Sequence, residues 1–173
     1  IEVLGKLFEK ILFDRILKTL VRHEMLDSSQ HGGMPMRSTA APIRNLAEVM
    51  QDAQMSGNEL HVVSADLTKA FDTLEYWSQA MSWRALGMPM EMTEMLMRMD
   101  QEAETSVILG QGRTTADVLG EDGWFVSGRG VRQGSIGGPI KWIVYMNFWL
   151  RYMHKKHQGE GFKMAFSEDG TRN

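Results

Sequence analysis

The run Leu60-His61-Val62-Val63-Ser64-Ala65-Asp66-Leu67-Thr68-Lys69-Ala70-Phe71-Asp72 constrains this chain more than any other. Its apolar, β-branched start predicts a buried strand over 60–65. The strand ends on a carboxylate, Asp66, and an acid at a strand's end can hold a hard cation near solvent. Taken alone, Asp66 reads more readily as a solvated residue capping the turn after the strand. The second constraint is Gly130-Val131-Arg132-Gln133-Gly134-Ser135-Ile136-Gly137-Gly138-Pro139, a glycine-rich segment that opens a helix. Glycines there let backbone approach a ligand closely.

Around these segments the periodicity alternates. Leu4, Leu7, Phe8, Ile11, Leu12, Ile16 and Leu20 recur at helical spacing and predict an amphipathic helix over 2–24. Residues 27–37 carry Gly32, Gly33 and Pro35 and read as a loop. Ser38 or Thr39 is placed to cap the next helix, with Pro42 in its first turn. Leu46, Val49, Met50 and Ala53 form its expected buried stripe, and Gly57-Asn58 its end. Further helices are expected over 75–86, 90–102 and 139–156. Strands are expected over 105–109, at 118–119 and over 124–126, with a turn at 110–112. Residues 167–173 are polar and expected to be mobile. The pattern is mixed α/β (α+β), with a small antiparallel sheet packed by helices.

The chain has 173 residues, enough for one domain with a core, and its apolar share of 43% argues against disorder. With no cysteine, disulfides and thiolate metal sites are excluded. The net charge of −3 means that any phosphate-binding basic surface is local or lies outside these residues. The first residues are amphipathic rather than charged then apolar, so no signal peptide is expected. No stretch reaches the roughly 18 apolar residues that span a bilayer. The greasiest segment, 139–153, is interrupted by Lys141, Asn147 and Arg151, and reads as a buried or docking helix. His154 and His157, one helical turn apart without cysteine, make a poor metal pair. The fifteen methionines read as gap-fillers of a loosely specified core.

Several motifs in order carry a family resemblance. Lys6-Leu7-Phe8-Glu9-Lys10 through Arg15 is similar to the first fingers helix of reverse transcriptases of the non-LTR retrotransposon and group II intron type. Gln30-His31-Gly32-Gly33-Met34-Pro35-Met36-Arg37-Ser38-Thr39 resembles their Gln-x-Gly-Phe-Arg-x-Gly-Arg-Ser-Thr loop. Asp66 to Asp72 resembles the first palm motif, Arg84-Ala85-Leu86-Gly87 the helix end after it, and Gly130 to Pro139 the second palm motif. The resemblance implies a partial fingers–palm fold, with fingers-like helices and loop in 1–58 and a partial palm in 59–173. It implies RNA-directed DNA synthesis with Mg²⁺ as cofactor and RNA template, DNA primer and dNTPs as ligands, in an intracellular enzyme of nucleus or cytoplasm. Two ions about 4 Å apart would activate the 3′ hydroxyl and neutralise the triphosphate.

Carried over by position, Asp66 becomes the catalytic metal ligand and the Leu67 carbonyl a further metal oxygen. Lys69 and Ala70 offer backbone N–H groups to the triphosphate. Phe71 lies under the incoming sugar and excludes a 2′ hydroxyl. Arg132, Gln133 and Gly134 face the template, nascent base pair and nucleotide, and Arg37 a triphosphate oxygen. The chain departs from the pattern at Gly33-Met34, where the family has Phe-Arg, and at Met36, where it has Gly. The third palm motif, an aromatic-x-Asp-Asp hairpin, is not among the 173 residues. Glu168-Asp169 lacks the flanking apolar strand and is not assigned to it. A second reading stays open: a non-catalytic subunit of a larger protein assembly, docking through 2–24 and 139–156.

Overall fold

The computed structural model describes residues 3–106, 108–109, 112–113, 124–132 and 134–164. Five helices follow the predicted positions closely: α1 (Val3–Arg22), α2 (Ala40–Ser56), α3 (Tyr76–Ala85), α4 (Met90–Gln101) and α5 (Gly138–Lys156). Their ends follow from local chemistry. Gly57 closes α2 in the left-handed conformation at φ 70°, returning its N–H to the Ala53 carbonyl. Gly87, at φ 81°, turns the chain between α3 and α4. Pro139 stands in the first turn of α5, where its missing N–H costs no helical bond. Thr39 occupies the N-cap of α2, but its hydroxyl makes no cap bond there, so the expected side-chain cap is absent.

Two antiparallel ladders complete the mixed α/β architecture. β1 (Glu104–Thr105) pairs with β4 (Phe125–Val126), Glu104 opposite Val126. β2 (Ile108–Leu109) and β3 (Gly112–Arg113) form a hairpin, Leu109 opposite Gly112. The expected strand over 105–109 is thus divided between two ladders. The strands expected at 118–119 and the tail 167–173 lie outside the described residues.

The strand expected over 60–65 does not form. Those residues pair with no described strand, and Val63 is 91% exposed. The apolar run has strand propensity, but without a neighbouring ladder its N–H and C=O groups gain nothing over water.

The core lies where α1, α3, α4 and α5 meet. Phe13, Ile16 and Leu20 from α1 pack with Trp83, Leu96, Met97, Ile140, Ile143 and Val144. The loop after α1 joins them through Leu26 and Met34. Asn147 fixes that loop: its Nδ2 donates to the Met25 carbonyl at 3.2 Å and its Oδ1 accepts from the Asp27 amide at 2.6 Å. Gly137 is required by contact, since a Cβ there would overlap the buried Phe13 ring.

Two expected stripes are corrected. On α1, Ile16 and Leu20 are buried as expected, but Leu4, Leu7, Phe8 and Ile11 are exposed. Glu9 and Phe13 instead face inward. On α2 only Asp52 and Ala53 are buried, while Leu46 and Met50 are exposed. Methionine is likewise split: Met34 and Met97 are core, Met36, Met55 and Met81 surface.

Candidate nucleotide site

Asp66 is exposed and makes no hydrogen bond or ion pair with another described residue. After it the chain folds into a tight turn over 68–73. Lys69 takes φ 52°, and its carbonyl accepts from the amides of Asp72 (2.9 Å) and Thr73 (3.1 Å) and from the Thr73 hydroxyl (3.2 Å). The amides of Lys69 and Ala70 donate to no described carbonyl. Left-handed geometry next to such amides is the backbone arrangement that gathers N–H groups toward an anion. Phe71 is 41% exposed and rests against Trp142, with ring centroids 5.6 Å apart. Beside it a pocket of about 320 Å³ is lined by Leu67, Ala70, Leu74, Trp142, Tyr145 and Trp149.

The two motif segments are brought together by backbone. The Gly130 amide donates to Leu74 O and the Val131 amide to Phe71 O, both at 2.8 Å. Gly130 sits at φ 90°, and a Cβ there would come within 2.9 Å of Asp72 O, so no other residue fits without displacing the turn. Two further ties cross the same seam. Tyr76 Oη donates to Ser127 O at 2.9 Å, and Arg129 pairs with Glu75 at 3.6 Å. A larger cleft of about 790 Å³ lies along it, lined by Asp72, Tyr76, Asp100, Phe125, Arg129 and Arg132. Gly134 is exposed at φ 81°. Gln133 lies outside the described residues.

Both arginines named from sequence are engaged. Arg37 Nη1 donates to the carbonyls of Asp27 (3.2 Å), Ser28 (2.9 Å) and Gln30 (2.7 Å), which closes the loop on itself. Arg132 Nη2 lies 3.2 Å from Glu9 Oε1. The other oxygen of that carboxylate accepts from Ser135 Oγ at 3.0 Å and from the Ile136 amide at 2.8 Å. Deeper in, Lys141 Nζ binds Asp100 Oδ2 at 2.6 Å, both side chains being buried. Burial pushes the Asp100 carboxyl up, and the attraction of Lys141 and Arg132 only partly counters it. Tyr76 is pushed up too, by burial first and then by the Asp100 charge. Sequence reasoning missed Glu9, Asp100 and the pairing of Lys141. The readable signal was a lysine inside the greasiest helix, which calls for a buried acid.

Metal chemistry finds only part of a donor set. Among the described residues no three His, Asp or Glu side chains gather into a cation site. Asp66 is one exposed carboxylate. His154 sits on Asp27 and His157 on Glu160, in separate pairs. These residues do not by themselves make a two-ion centre.

Among the described residues the arrangement is therefore a free carboxylate, two unclaimed amides and an aromatic, joined through backbone to a glycine-rich segment. Comparison with known proteins gives this pattern its setting. The chain is 27% identical over 166 residues to the retrovirus-related Pol polyprotein from type-1 retrotransposable element R2 of Nasonia vitripennis, covering 95% of this chain and 14% of that protein. To the corresponding Popillia japonica polyprotein it is 25% identical over 138 residues, covering 76% of this chain and 22% of that one. It thus spans a minor part of each relative's length. The family model described as reverse transcriptase (RNA-dependent DNA polymerase) matches residues 1–169, through both motif segments and the five described helices, and the chain belongs to that family.

Proposed function

We propose that this chain is the fingers–palm part of an RNA-directed DNA polymerase, and that it holds the incoming nucleotide but does not polymerise alone. Residues 1–58 supply fingers-like helices and loop, and residues 59–173 a partial palm. The observation that carries the reading is the seam in which Val131 and Gly130 donate to Phe71 and Leu74, setting the two motif segments side by side. In this reading Asp66, with the Leu67 carbonyl, is this chain's contribution to Mg²⁺ binding. The amides of Lys69 and Ala70 receive the triphosphate, Phe71 lies under the sugar, and Gln133-Gly134 meets the nascent base pair. Arg37 closes the 27–37 loop on itself and, in this reading, keeps donors for an anion. Mg²⁺ relies on carboxylates together with substrate phosphates, so one acid binds it weakly.

The test is primer extension on poly(A)·oligo(dT) with dTTP. Two proteins are compared: residues 1–173, and the same residues fused to the C-terminal continuation of the Nasonia relative. The first should give no product. The second should give product that Asp66→Asn abolishes. Product that survives Asp66→Asn would overturn the assignment. The exposed apolar faces of α1 and α2 favour a second reading, a docking subunit of a protein assembly. That reading predicts no Asp66-dependent product from either protein.

A further inference from the structure

We propose that Glu9 is a positioning residue for the glycine-rich segment before α5, which it grips at Arg132, Ser135 and Ile136, and that Arg132 is its partner rather than a phosphate contact. The proposal rests on the reading above for what the segment does, but not for its geometry. Three donors from three residues converge on one carboxylate: Arg132 Nη2, Ser135 Oγ and the Ile136 amide. Glu9 is 3% exposed and reaches them from α1, 127 residues away from Ile136 in sequence. A buried carboxylate so served is held by charge-assisted bonds.

The segment needs such a hold. It contains Gly130 at φ 90° and Gly134 at φ 81°, and glycine gives backbone the widest freedom. It leads into α5, whose N-cap, Gly137, has no side chain with which to close the helix start. Glu9 supplies a negative group at that end, where the helix dipole favours one. Arg132 is partly buried. Its Nε is buried and finds no acceptor among the described residues, so the Glu9 bond, with the nearby Asp100 charge, offsets its desolvation. Swinging Arg132 out to a phosphate would strip Glu9 of its cation.

Amide hydrogen exchange by mass spectrometry on the whole chain tests this without any nucleotide or template, so its failure is separable from failure of the polymerase reading. In Glu9→Gln, peptides spanning 131–137 should exchange at least about tenfold faster, the scale set by charged hydrogen bonds. Peptides from α3 and α4 should be unchanged. Arg132→Gln should loosen the same peptides, the double variant no more than Glu9→Gln alone, and Arg132→Lys should restore most of the protection. Ser135→Ala removes only one of the donors and should loosen the same peptides to a smaller degree, which keeps the test open should Glu9→Gln not fold. An unchanged 131–137 in Glu9→Gln, or acceleration spread equally over α3 and α4, would overturn the proposal. So would additive effects of the Glu9 and Arg132 substitutions, or, if Ser135→Ala has to decide, unchanged exchange in 131–137.

Discussion

Met36 shows how one residue can oppose its own backbone. It stands at φ 59°, with its side chain wholly in solvent. A left-handed L-residue costs about 1–2 kcal/mol. Met36→Gly should therefore raise unfolding stability by roughly 1 kcal/mol after glycine's greater unfolded-state entropy is counted. Urea denaturation measures it, and Met36→Ala should gain nothing. Phe71 is tested in the fused protein: Phe71→Val should relax discrimination against ribonucleotides by about 1–3 kcal/mol. An unchanged dTTP/UTP ratio would leave Phe71 only its packing on Trp142. Asp27 adds a pH dependence. Burial alone would push its carboxyl up, but bonds from the Ser29 hydroxyl (2.7 Å) and amide (2.9 Å) and contact with His154 outweigh this and lower it from 3.8. Its contribution is thus present above that ordinary value and lost as pH falls through the lowered one. Asp27→Asn should cost about 1–2 kcal/mol at neutral pH and nothing at the acid extreme, so its stability curve converges with the parent's below pH about 4. At this scale the sequence was legible where chemistry is local. The turn after Asp66 and the glycine-rich entry to α5 could be placed from local residue types. Glu9 could not, because its partners lie more than a hundred residues away.

Helix positions were legible to within a few residues, because periodicity and end residues such as Gly57 and Pro139 are encoded within each segment. Which face is buried was legible only where the neighbour was a packed helix, as for Ile16 and Leu20. The apolar stripe of α2 fits any partner and here meets solvent. Leu46→Glu should accordingly change stability by no more than about 0.5 kcal/mol. Ala53→Glu, a few residues further on and buried, should cost at least about 2 kcal/mol. Thermal unfolding of the pair decides whether this face is free in the isolated chain. The failed strand over 60–65 has the same cause. Propensity is local, but a strand exists only when another strand accepts its hydrogen bonds.

Among the described residues, two ion pairs tie buried charges across the core, Glu9 with Arg132 and Lys141 with Asp100. Lys141→Met should destabilise by about 3–5 kcal/mol, because Asp100 is left buried without its cation. Adding Asp100→Leu should recover most of that, since an apolar pair of similar volume is often as stable as the ion pair. A double variant as unstable as the single one would show that Lys141 acts through its ammonium, which lies over the Phe13 ring 5.4 Å from the centroid. The bond from the Ile136 amide to Glu9 closes a loop of 127 residues and brings α1 into the core. It also sets an order in time. During synthesis at 5–20 residues per second, α1 emerges about 6–25 s before the segment that must receive it. For that interval the face bearing Phe13, Ile16 and Leu20 has only its partners on α3 and α4 to dock on, and Ile140, Ile143 and Val144 complete its burial once α5 has been made. Interrupting synthesis shortly before residue 136 should leave α1 open to protease, whereas release beyond α5 should protect it.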